Sequence, residues 1–437
     1  SFSTTGLKSF HKSTCRFYKK SVSKLFYQKK GSTLWVYRHV GFNQSKIDLL
    51  FKNGIILYIL SNLDYWKLLS NRTHPKYSKL ILYFHDLKHI MPHTIPTNRS
   101  DIEWRNESTQ KPPKQAVYIQ EAGAAEILKN AHAQTATVWT GDFHNAKQVL
   151  AAMKKRIRRP SEKKKGAPAD IQTAFHAHRM KQAQQSRLLN MLAIEIQPNF
   201  QLDNARAPDI YAALHDVYDT PNDKPFLLPL NQLLGFIGAH EWHKKGIDIP
   251  QLDGKIHVPF GVFSPLRGEY LDLIVQAPLA PNIQTAFDIG TGSGVIAAIL
   301  AKRGIPDIIA TDTNPKAIAC ATANLERLGL NKAINIQSID LFPESFADLI
   351  VCNPPWLPAK PTSTIETALY DPNHAMLTAF LNGVRKHLNP NGEAWLIISD
   401  LAEHLHLRDK DFLNQCFQTA SLNVVDILKT KPQHKKA

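Results

Sequence analysis

The sequence predicts an α/β protein in which a doubly wound parallel sheet is preceded by a smaller, mainly helical domain. Three observations predict the sheet: a glycine-rich turn between an apolar strand and an apolar helix, an acidic residue that ends the next apolar strand, and strand patterns that alternate with helix patterns as far as residue 399. Such alternation is typical of a parallel sheet that binds its ligands at the carboxyl ends of the strands.

The composition is that of a globular protein, because 43% of the 437 residues are hydrophobic and 21% are charged. The four cysteines show no pairing or metal-ligand spacing, which excludes a disulfide scaffold or a zinc module and indicates a reducing compartment. No apolar run approaches the roughly 18 residues that span a bilayer, and the N-terminus lacks an apolar signal segment with a cleavage site. We therefore expect a soluble, cytoplasmic protein that contacts no membrane.

The net charge of +16 is concentrated at the start of the chain. Residues 1–90 hold 16 of the 53 Lys and Arg but only 3 of the 37 Asp and Glu, and they contain no Ala, Glu or Met. One interpretation is a basic arm that contacts nucleic acid. We favour the interpretation that this N-terminal extension is not native, for instance translated sequence upstream of a start at Met91, because a function does not explain the missing Ala and Glu.

Beyond the extension, the patterns predict three further parts of the chain. Residues 91–115 are polar, contain several prolines and show no periodicity, so we expect a linker. Residues 116–257 are expected to form a mainly helical substrate-recognition domain, and residues 258–437 the catalytic domain. Within the first of these domains, helices are predicted at 124–131, from about 145, and at 170–192, 208–217 and 230–245, with an extended piece near 138–140.

Two polar features of the N-terminal domain have plain interpretations. The basic run KKRIRRPSEKKKGAP at 154–168 is interpreted as a solvated linker, with a phosphate-contacting surface as the alternative. His240-Glu241-Trp242-His243 resembles the helix motif of zinc proteases, but that motif has its two histidines four residues apart. Here the spacing is three and the sequence shows no third ligand, so we expect a surface or packing role for these histidines and no metal.

The glycine-rich turn DIGTGSG at 288–294 lies between a predicted strand, Thr285–Ile289, and a predicted helix, Val295–Ala301. Glycine at positions 290, 292 and 294 lets the backbone approach a ligand closely, and a helix N-terminus favours negative charge. Many nucleotide-binding folds use such a turn, so by itself it predicts only a cofactor loop.

Acidic residues follow the next two predicted strands. Asp312 ends the strand Asp307–Thr311, where a carboxylate can accept hydrogen bonds from ribose hydroxyls; the alternative is a helix cap ahead of Asn314. The strand Ala333–Ser338 runs into Asp340, which can reach an adenine edge. These positions predict an adenosine-containing ligand at the edge of the sheet.

The segment VCNPPW at 351–356 ends the fourth predicted strand, Ala347–Cys352. Pro354 and Pro355 fix an extended loop without amide donors, so their carbonyls and the Asn353 side-chain oxygen form a cluster of acceptors. Such a cluster suits a planar amino group, whose nitrogen lone pair would face a methyl donor, and Trp356 can stack on the attached π-system. The alternative is a proline turn with a packing tryptophan.

Together these motifs resemble the class I S-adenosylmethionine-dependent methyltransferases, in the branch that methylates planar amino nitrogens. The resemblance covers about residues 258–430 and implies a Rossmann-like sheet and S-adenosyl-L-methionine as the cofactor. It implies cofactor contacts for Asp288, Gly290, Gly292, Gly294, Asp312, Asp340 and Asn353, and catalytic roles for Asn353, Pro354, Pro355 and Trp356.

The segment GVFSPLRGEYLDLI at 261–274 resembles the one that precedes the glycine loop in release-factor glutamine methyltransferases and in small-subunit rRNA guanine methyltransferases. There the segment helps to close the active site, which makes Arg267 and Glu269 secondary candidates. Glutamine methyltransferases usually carry Tyr where this chain has Trp356, and this departure weakens the transfer of a glutamine substrate.

We therefore expect an N-methyltransferase that acts on an exocyclic base amine of nucleic acid, in RNA rather than DNA. The alternative substrate is a glutamine amide of a release factor or ribosomal protein. An alternative of another class is a nucleic-acid-binding protein with a vestigial cofactor pocket.

The C-terminal end departs from the family pattern. Glu393–Ser399 is predicted as the fifth strand and Asn423–Leu428 as the sixth, whereas the family usually inserts a further antiparallel strand between them. The remaining residues, 429–437, are polar and cannot supply a buried central strand. We therefore expect that the chain is truncated here and that the cofactor pocket survives.

Overall fold

The computed structural model describes residues 93–158, 170–266, 268–363 and 365–431, together with the backbone of two strands nearer the N-terminus. These strands, β1 (Ser23–Lys29) and β2 (Ser32–Arg38), pair antiparallel. They belong to a unit that comprises Ser1–Met91, and the rest of the chain forms a second unit, Pro92–Ala437. The predictions for the remainder of residues 1–90, for residues 159–169, for Arg267 and for residues 432–437 lie outside the described residues.

A six-stranded mixed sheet forms the centre of the N-terminal domain, in the order β3-β4-β8-β7-β6-β5. Strands β5, β6 and β7 run parallel, and β8 is antiparallel to β7. The strands are β3 (His93–Ile95), β4 (Ile102–Trp104), β5 (Gln115–Ile119), β6 (Thr135–Trp139), β7 (Leu192–Ile196) and β8 (Phe226–Pro229).

This sheet corrects two predictions. Helical residues outnumber strand residues in the N-terminal domain as expected, but the helices pack on a sheet that the sequence analysis did not predict. Residues 91–115 are not a linker, because β3, β4 and the first residue of β5 lie within them. Strands of three residues are too short to show a period, although their buried side chains, such as Ile102 and Trp104, belong to the core.

The helices predicted for the N-terminal domain are confirmed to within a few residues. Buried side chains of four of them pack with β7 and β8 in one apolar cluster, whereas the third helix buries none of its residues. Asp170 caps that third helix by accepting the N–H of Thr173 at 2.7 Å. The helices are α1 (Ala124–His132), α2 (Phe143–Arg158), α3 (Ile171–Leu189), α4 (Tyr211–Tyr218) and α5 (Leu230–Lys245).

The C-terminal domain, residues 258–437, contains a parallel sheet of five described strands in the order β13-β12-β11-β14-β15. An antiparallel pair, β9 (Ile247–Ile249) and β10 (Gly254–Ile256), precedes this domain. The five strands are β11 (Thr285–Ile289), β12 (Asp307–Asp312), β13 (Ile334–Ser338), β14 (Ala347–Cys352) and β15 (Leu388–Leu396). The first four agree with the predicted strands to within one residue at each end.

Apolar side chains cover both faces of this sheet, which confirms the doubly wound arrangement. One cluster joins the sheet to the first three helices of the domain, and the other joins Phe287 and Ile350 to the helix that contains Phe380. The helices are α6 (Glu269–Gln276), α7 (Val295–Lys302), α8 (Pro315–Arg327), α9 (Ala375–Val384), α10 (Leu401–His404) and α11 (Phe412–Thr419). In the residues with assigned structure, no helix combines the length and the apolar character that crossing a membrane requires.

The C-terminal strands differ from their predictions. β15 begins five residues before the predicted Glu393 and ends at Leu396. Residues 423–428, predicted as a sixth strand, have no regular structure, and Val425 is 91% exposed. The alternation of apolar residues there is a local signal, and no neighbouring strand among the described residues pairs with it.

Candidate functional site

The glycine loop joins β11 to α7 at the carboxyl edge of the sheet. Gly290, Gly292 and Gly294 have φ angles of 72°, 56° and 81°, in the left-handed region that side chains disfavour. A Cβ added to Gly292 would have no neighbour closer than 4.0 Å, whereas one added to Gly294 would lie 3.1 Å from the Cβ of Ala321. Gly292 therefore leaves open space beside the loop, and Gly294 allows α7 to pack closely on α8.

Asp288 supports this loop from inside the protein. Its Oδ2 accepts the hydroxyl of Thr291 at 2.6 Å and the N–H of Ala297 at 3.0 Å. Its Oδ1 is buried without a hydrogen-bond partner in the described structure. Burial raises the pKa of Asp288 to about 6. An unpartnered buried acceptor of this kind fits a ligand that brings a donor or a positive charge.

Asp312 lies across the glycine loop at the end of β12. Its Oδ2 accepts the N–H of Gly292 at 3.0 Å, and its Oδ1 accepts the N–H of Asn314 at 2.8 Å. The helix cap that we considered for Asp312 is provided by Asn314 instead, whose side chain accepts the N–H of Lys316. Asp312 is half-buried, so its other lone pairs are available to a ligand such as a ribose.

The third acidic candidate, Asp340, is exposed two residues after β13. The register of the sheet brings the candidate residues to one edge, since Ile289 pairs with Cys352 and Asp312 pairs with Ser338. The glycine loop is therefore flanked by Asp312 on one side and by the segment after Cys352 on the other.

The segment after β14 holds Asn353 beside the glycine loop. The indole Nε1 of Trp356 donates a hydrogen bond to Asn353 Oδ1 at 2.9 Å, and Pro354 is buried. This contact ties the edge of the tryptophan to the carboxamide and leaves one further lone pair on the oxygen. Both side chains are half-buried, so a substrate can reach them.

Tyr270 on α6 is a site residue that the sequence analysis missed. It is buried, its phenol is hydrogen-bonded to the side chain of Asn353, and burial raises its pKa. In the same segment, Arg267 and Glu269 were predicted as secondary candidates, and Arg267 lies outside the described residues. The available signal was the apolar face that Tyr270 shares with Leu271 and Ile274.

Asp371 was also missed. It is buried, and its two carboxylate oxygens accept the N–H groups of Met376 and Leu377 at 3.0 Å each. Its own N–H donates to Leu357 O at 2.8 Å, which connects the start of α9 to the residue after Trp356.

The fit to S-adenosyl-L-methionine rests on three of these observations: the open side of Gly292, the unpartnered Oδ1 of Asp288 and the accessible carboxylate of Asp312. The donors and acceptors suit a ligand with a positive charge and ribose hydroxyls. The residues present therefore fit this cofactor.

A possible metal-ligand group lies elsewhere, between α4 and α5. The Nδ1 atoms of His240 and His243 lie 2.8 and 2.9 Å from Asp216 Oδ2. The expectation that no third ligand exists is therefore wrong, because Asp216 comes from a different helix. Both imidazoles hydrogen-bond to the same carboxylate oxygen of Asp216.

In a comparison with known proteins, the C-terminal domain matches a protein family. Residues 255–426 match the family described as methyltransferase small domain. A release factor glutamine methyltransferase of Cereibacter sphaeroides is 34% identical over 29% of this chain and 50% of its own length. A tRNA1(Val) (adenine(37)-N6)-methyltransferase of Cytophaga hutchinsonii is 32% identical over 28% of this chain and 54% of its own length.

A ribosomal protein uL3 glutamine methyltransferase of Bordetella pertussis is 28% identical over 36% of this chain and 59% of its own length. The chain thus spans about half the length of the curated relatives that it matches. In each case the similarity covers only part of the relative and part of this chain.

Proposed function

We propose that this chain, whose residues 255–426 match the methyltransferase small domain family, is an S-adenosylmethionine-dependent N-methyltransferase of a planar amino nitrogen. The observation that carries the proposal is the position of Asn353, held by Tyr270 and Trp356 directly beside the glycine loop. A carboxamide fixed between a cofactor loop and an open face can orient an incoming amine.

The cofactor when bound supplies a methyl group on a sulfonium, which is electrophilic without further activation. Gly290, Gly292 and Gly294 would hold its methionine part, Asp312 its ribose and Asp340 its adenine. Asp288 keeps the loop in shape through Thr291 and Ala297. These residues bind and orient, and none of them moves a proton.

The acceptor amine would donate its N–H groups to Asn353 Oδ1 and to the carbonyl of Pro354. This leaves the nitrogen lone pair directed toward the methyl group, so alignment supplies much of the rate acceleration. The same acceptors stabilise the positive charge that develops on nitrogen. Trp356 would stack on the π-system that bears the amine.

Basic residues in the N-terminal domain favour RNA as the substrate. Helices α2 and α3 contain no Asp or Glu, and the last turn of α2 exposes Lys155, Arg156 and Arg158. A surface of this charge attracts a polyanion. We therefore assign substrate recognition to residues 116–257, propose an exocyclic base amine in RNA, and expect the enzyme in the cytoplasm.

The test uses the purified protein and cofactor with a tritiated methyl group, offered total RNA or a mixture of release factors and ribosomal proteins. We expect label in N-methylated nucleosides, and about a hundredfold slower labelling with the Asn353→Ala variant. Label on protein glutamine would overturn the RNA substrate but not the reaction. If calorimetry detects no cofactor binding and no methyl group is transferred, the proposed reaction is overturned. That result would favour a nucleic-acid-binding protein with a vestigial cofactor pocket.

A further inference from the structure

The loop that follows Trp356 runs from residue 357 to 371 and returns to its own beginning; we refer to its described residues, 357–363 and 365–371, as the acceptor loop. Leu357 N–H donates to Leu369 O at 3.2 Å, and Asp371 N–H donates to Leu357 O at 2.8 Å. The two ends of the loop are therefore joined next to Trp356. Trp356 therefore directly precedes the closed base of the loop.

Arg179 on α3 reaches this loop from the N-terminal domain. Its Nη2 donates to Lys360 O at 2.8 Å and lies 3.4 Å from Glu366 Oε2. Its guanidinium carbon lies 4.1 Å from the centre of the Tyr370 ring, a cation–π contact. One side chain thus contacts three points of the loop, and only 21% of it is exposed.

The carboxylate that Arg179 contacts also organises the loop internally. Glu366 Oε2 accepts the N–H of Thr362 at 2.7 Å and its hydroxyl at 2.9 Å. The positive charge of Arg179 compensates the negative charge of the half-buried Glu366 carboxylate. A partly exposed ion pair of this type is weak alone, but here it is combined with a carbonyl contact and a ring contact.

A second connection comes from the segment before β5. Thr109 N–H donates to Thr362 O at 2.9 Å, and Ser108 forms a bridge with Ser363. The same segment is attached to α3, because Gln110 Nε2 donates to Ser186 Oγ at 3.1 Å. The acceptor loop is therefore held by two connected parts of the N-terminal domain.

We propose that Arg179 is a positioning residue for methyl transfer, which holds the acceptor loop, and with it Trp356, in the shape that receives the amine. This rests on the proposed function of the site. Arg179 lies on α3, one of the two basic helices that we propose to bind RNA. Binding of RNA to the N-terminal domain would therefore be coupled to the conformation of the acceptor loop. The hydrogen bond, the ion pair and the cation–π contact of Arg179 are all to the loop, so its assigned effect on methyl transfer is through the loop.

The test compares Arg179→Ala and Arg179→Lys with Arg385→Ala, an exposed arginine that follows α9 and lies outside the proposed RNA-binding helices. We expect Arg179→Ala to lower kcat about tenfold, equivalent to one or two lost hydrogen bonds, with the cofactor Kd and the KM for acceptor within about threefold. Arg179→Lys should recover part of kcat, because it keeps the charge and loses the planar stack on Tyr370. Arg385→Ala should retain wild-type kcat.

Hydrogen exchange of the full-length protein gives a second readout that does not need activity. In Arg179→Ala, amides of residues 357–371 should exchange at least about fivefold faster, and those of β11 and β14 should not change. Unchanged exchange in the loop, or faster exchange with unchanged kcat, would overturn the positioning role. If the wild-type protein methylates no acceptor, the proposed function fails, whereas the exchange measurement still decides whether Arg179 holds the loop.

Discussion

Asp312 accepts the backbone N–H of Gly292 at 3.0 Å, so the carboxylate expected to bind the cofactor also holds the loop expected to surround it. The two motifs are separate in sequence and adjacent in the sheet, because β11 and β12 are parallel neighbours. A substitution at Asp312 therefore affects both a direct contact and the shape of the loop.

Replacement of Asp312 should weaken cofactor binding. Asp312→Ala removes a charged acceptor and frees the Gly292 amide, so we expect the cofactor Kd to rise by about ten- to hundredfold, equivalent to roughly 1–3 kcal/mol. Asp312→Asn keeps an acceptor, so its cofactor Kd should lie between those of Asp312→Ala and the wild type. Calorimetric titration measures this, with Asn335→Ala on exposed β13 as the control. A Kd for Asp312→Ala within twofold of wild type would contradict the assignment.

Replacement of Asn353 should separate binding of the cofactor from transfer of the methyl group. Asn353→Ala removes the acceptor that orients the amine, and we expect kcat to fall by about a hundredfold. The cofactor Kd should stay within a few-fold, because the loop and Asp312 are untouched. Steady-state kinetics and calorimetry on the same preparation check both values. Near-normal turnover would show that another group orients the acceptor.

Tyr270 should act through Asn353. Tyr270→Phe keeps the buried ring and removes the phenol that is hydrogen-bonded to the carboxamide. We expect kcat to fall by about five- to tenfold, the effect of one hydrogen bond, with little change in stability. Tyr211→Phe, at an exposed position of α4, is the matched control. Equal kcat in the two variants would mean that the phenol does not fix Asn353.

Asp288 should make stability depend on pH. Burial raises its pKa in the folded protein to about 6, above the value of about 4 in an unfolded chain. The folded state therefore binds a proton between these values that the unfolded state does not, and the free energy of unfolding should fall as pH rises from about 4 to 6. Between these limits the contribution is about 2–3 kcal/mol.

Urea unfolding of the cofactor-free protein at pH 4.5 and pH 7 measures this dependence. The Asp288→Asn variant should lack this part of the slope, and the difference between the two proteins removes the contribution of all other groups. An identical pH slope in both proteins would exclude the assignment to Asp288.

The five-stranded sheet of the C-terminal domain was predictable because buried parallel strands appear in the sequence as short apolar runs. Thr285–Ile289 and Ala347–Cys352 are examples. β15 was less predictable, since its register shifts between Ala347 and Leu349 of β14 and the apolar pattern does not record such an irregularity. In the sheet of the N-terminal domain, β3 and β4 have only three residues each, too few to show a period.

In the candidate site, too, some residues were predictable from a local sequence pattern and others were not. Asp288, Asp312 and Asn353 lie at strand ends, a position that the sequence reveals through its periodicity. Arg179 and Asp216 contact residues on other elements, and Arg179 is 181 positions from Lys360. No local pattern indicates contacts of that kind, because they depend on how helices pack.

The two carboxylates at the glycine loop also determine which ligand charge the loop tolerates. In a loop that binds phosphates, free amides at a helix N-terminus meet the anion; here the Gly292 amide is occupied by Asp312, and Asp288 lies beneath. A pyrophosphate would be repelled, whereas a sulfonium would be attracted.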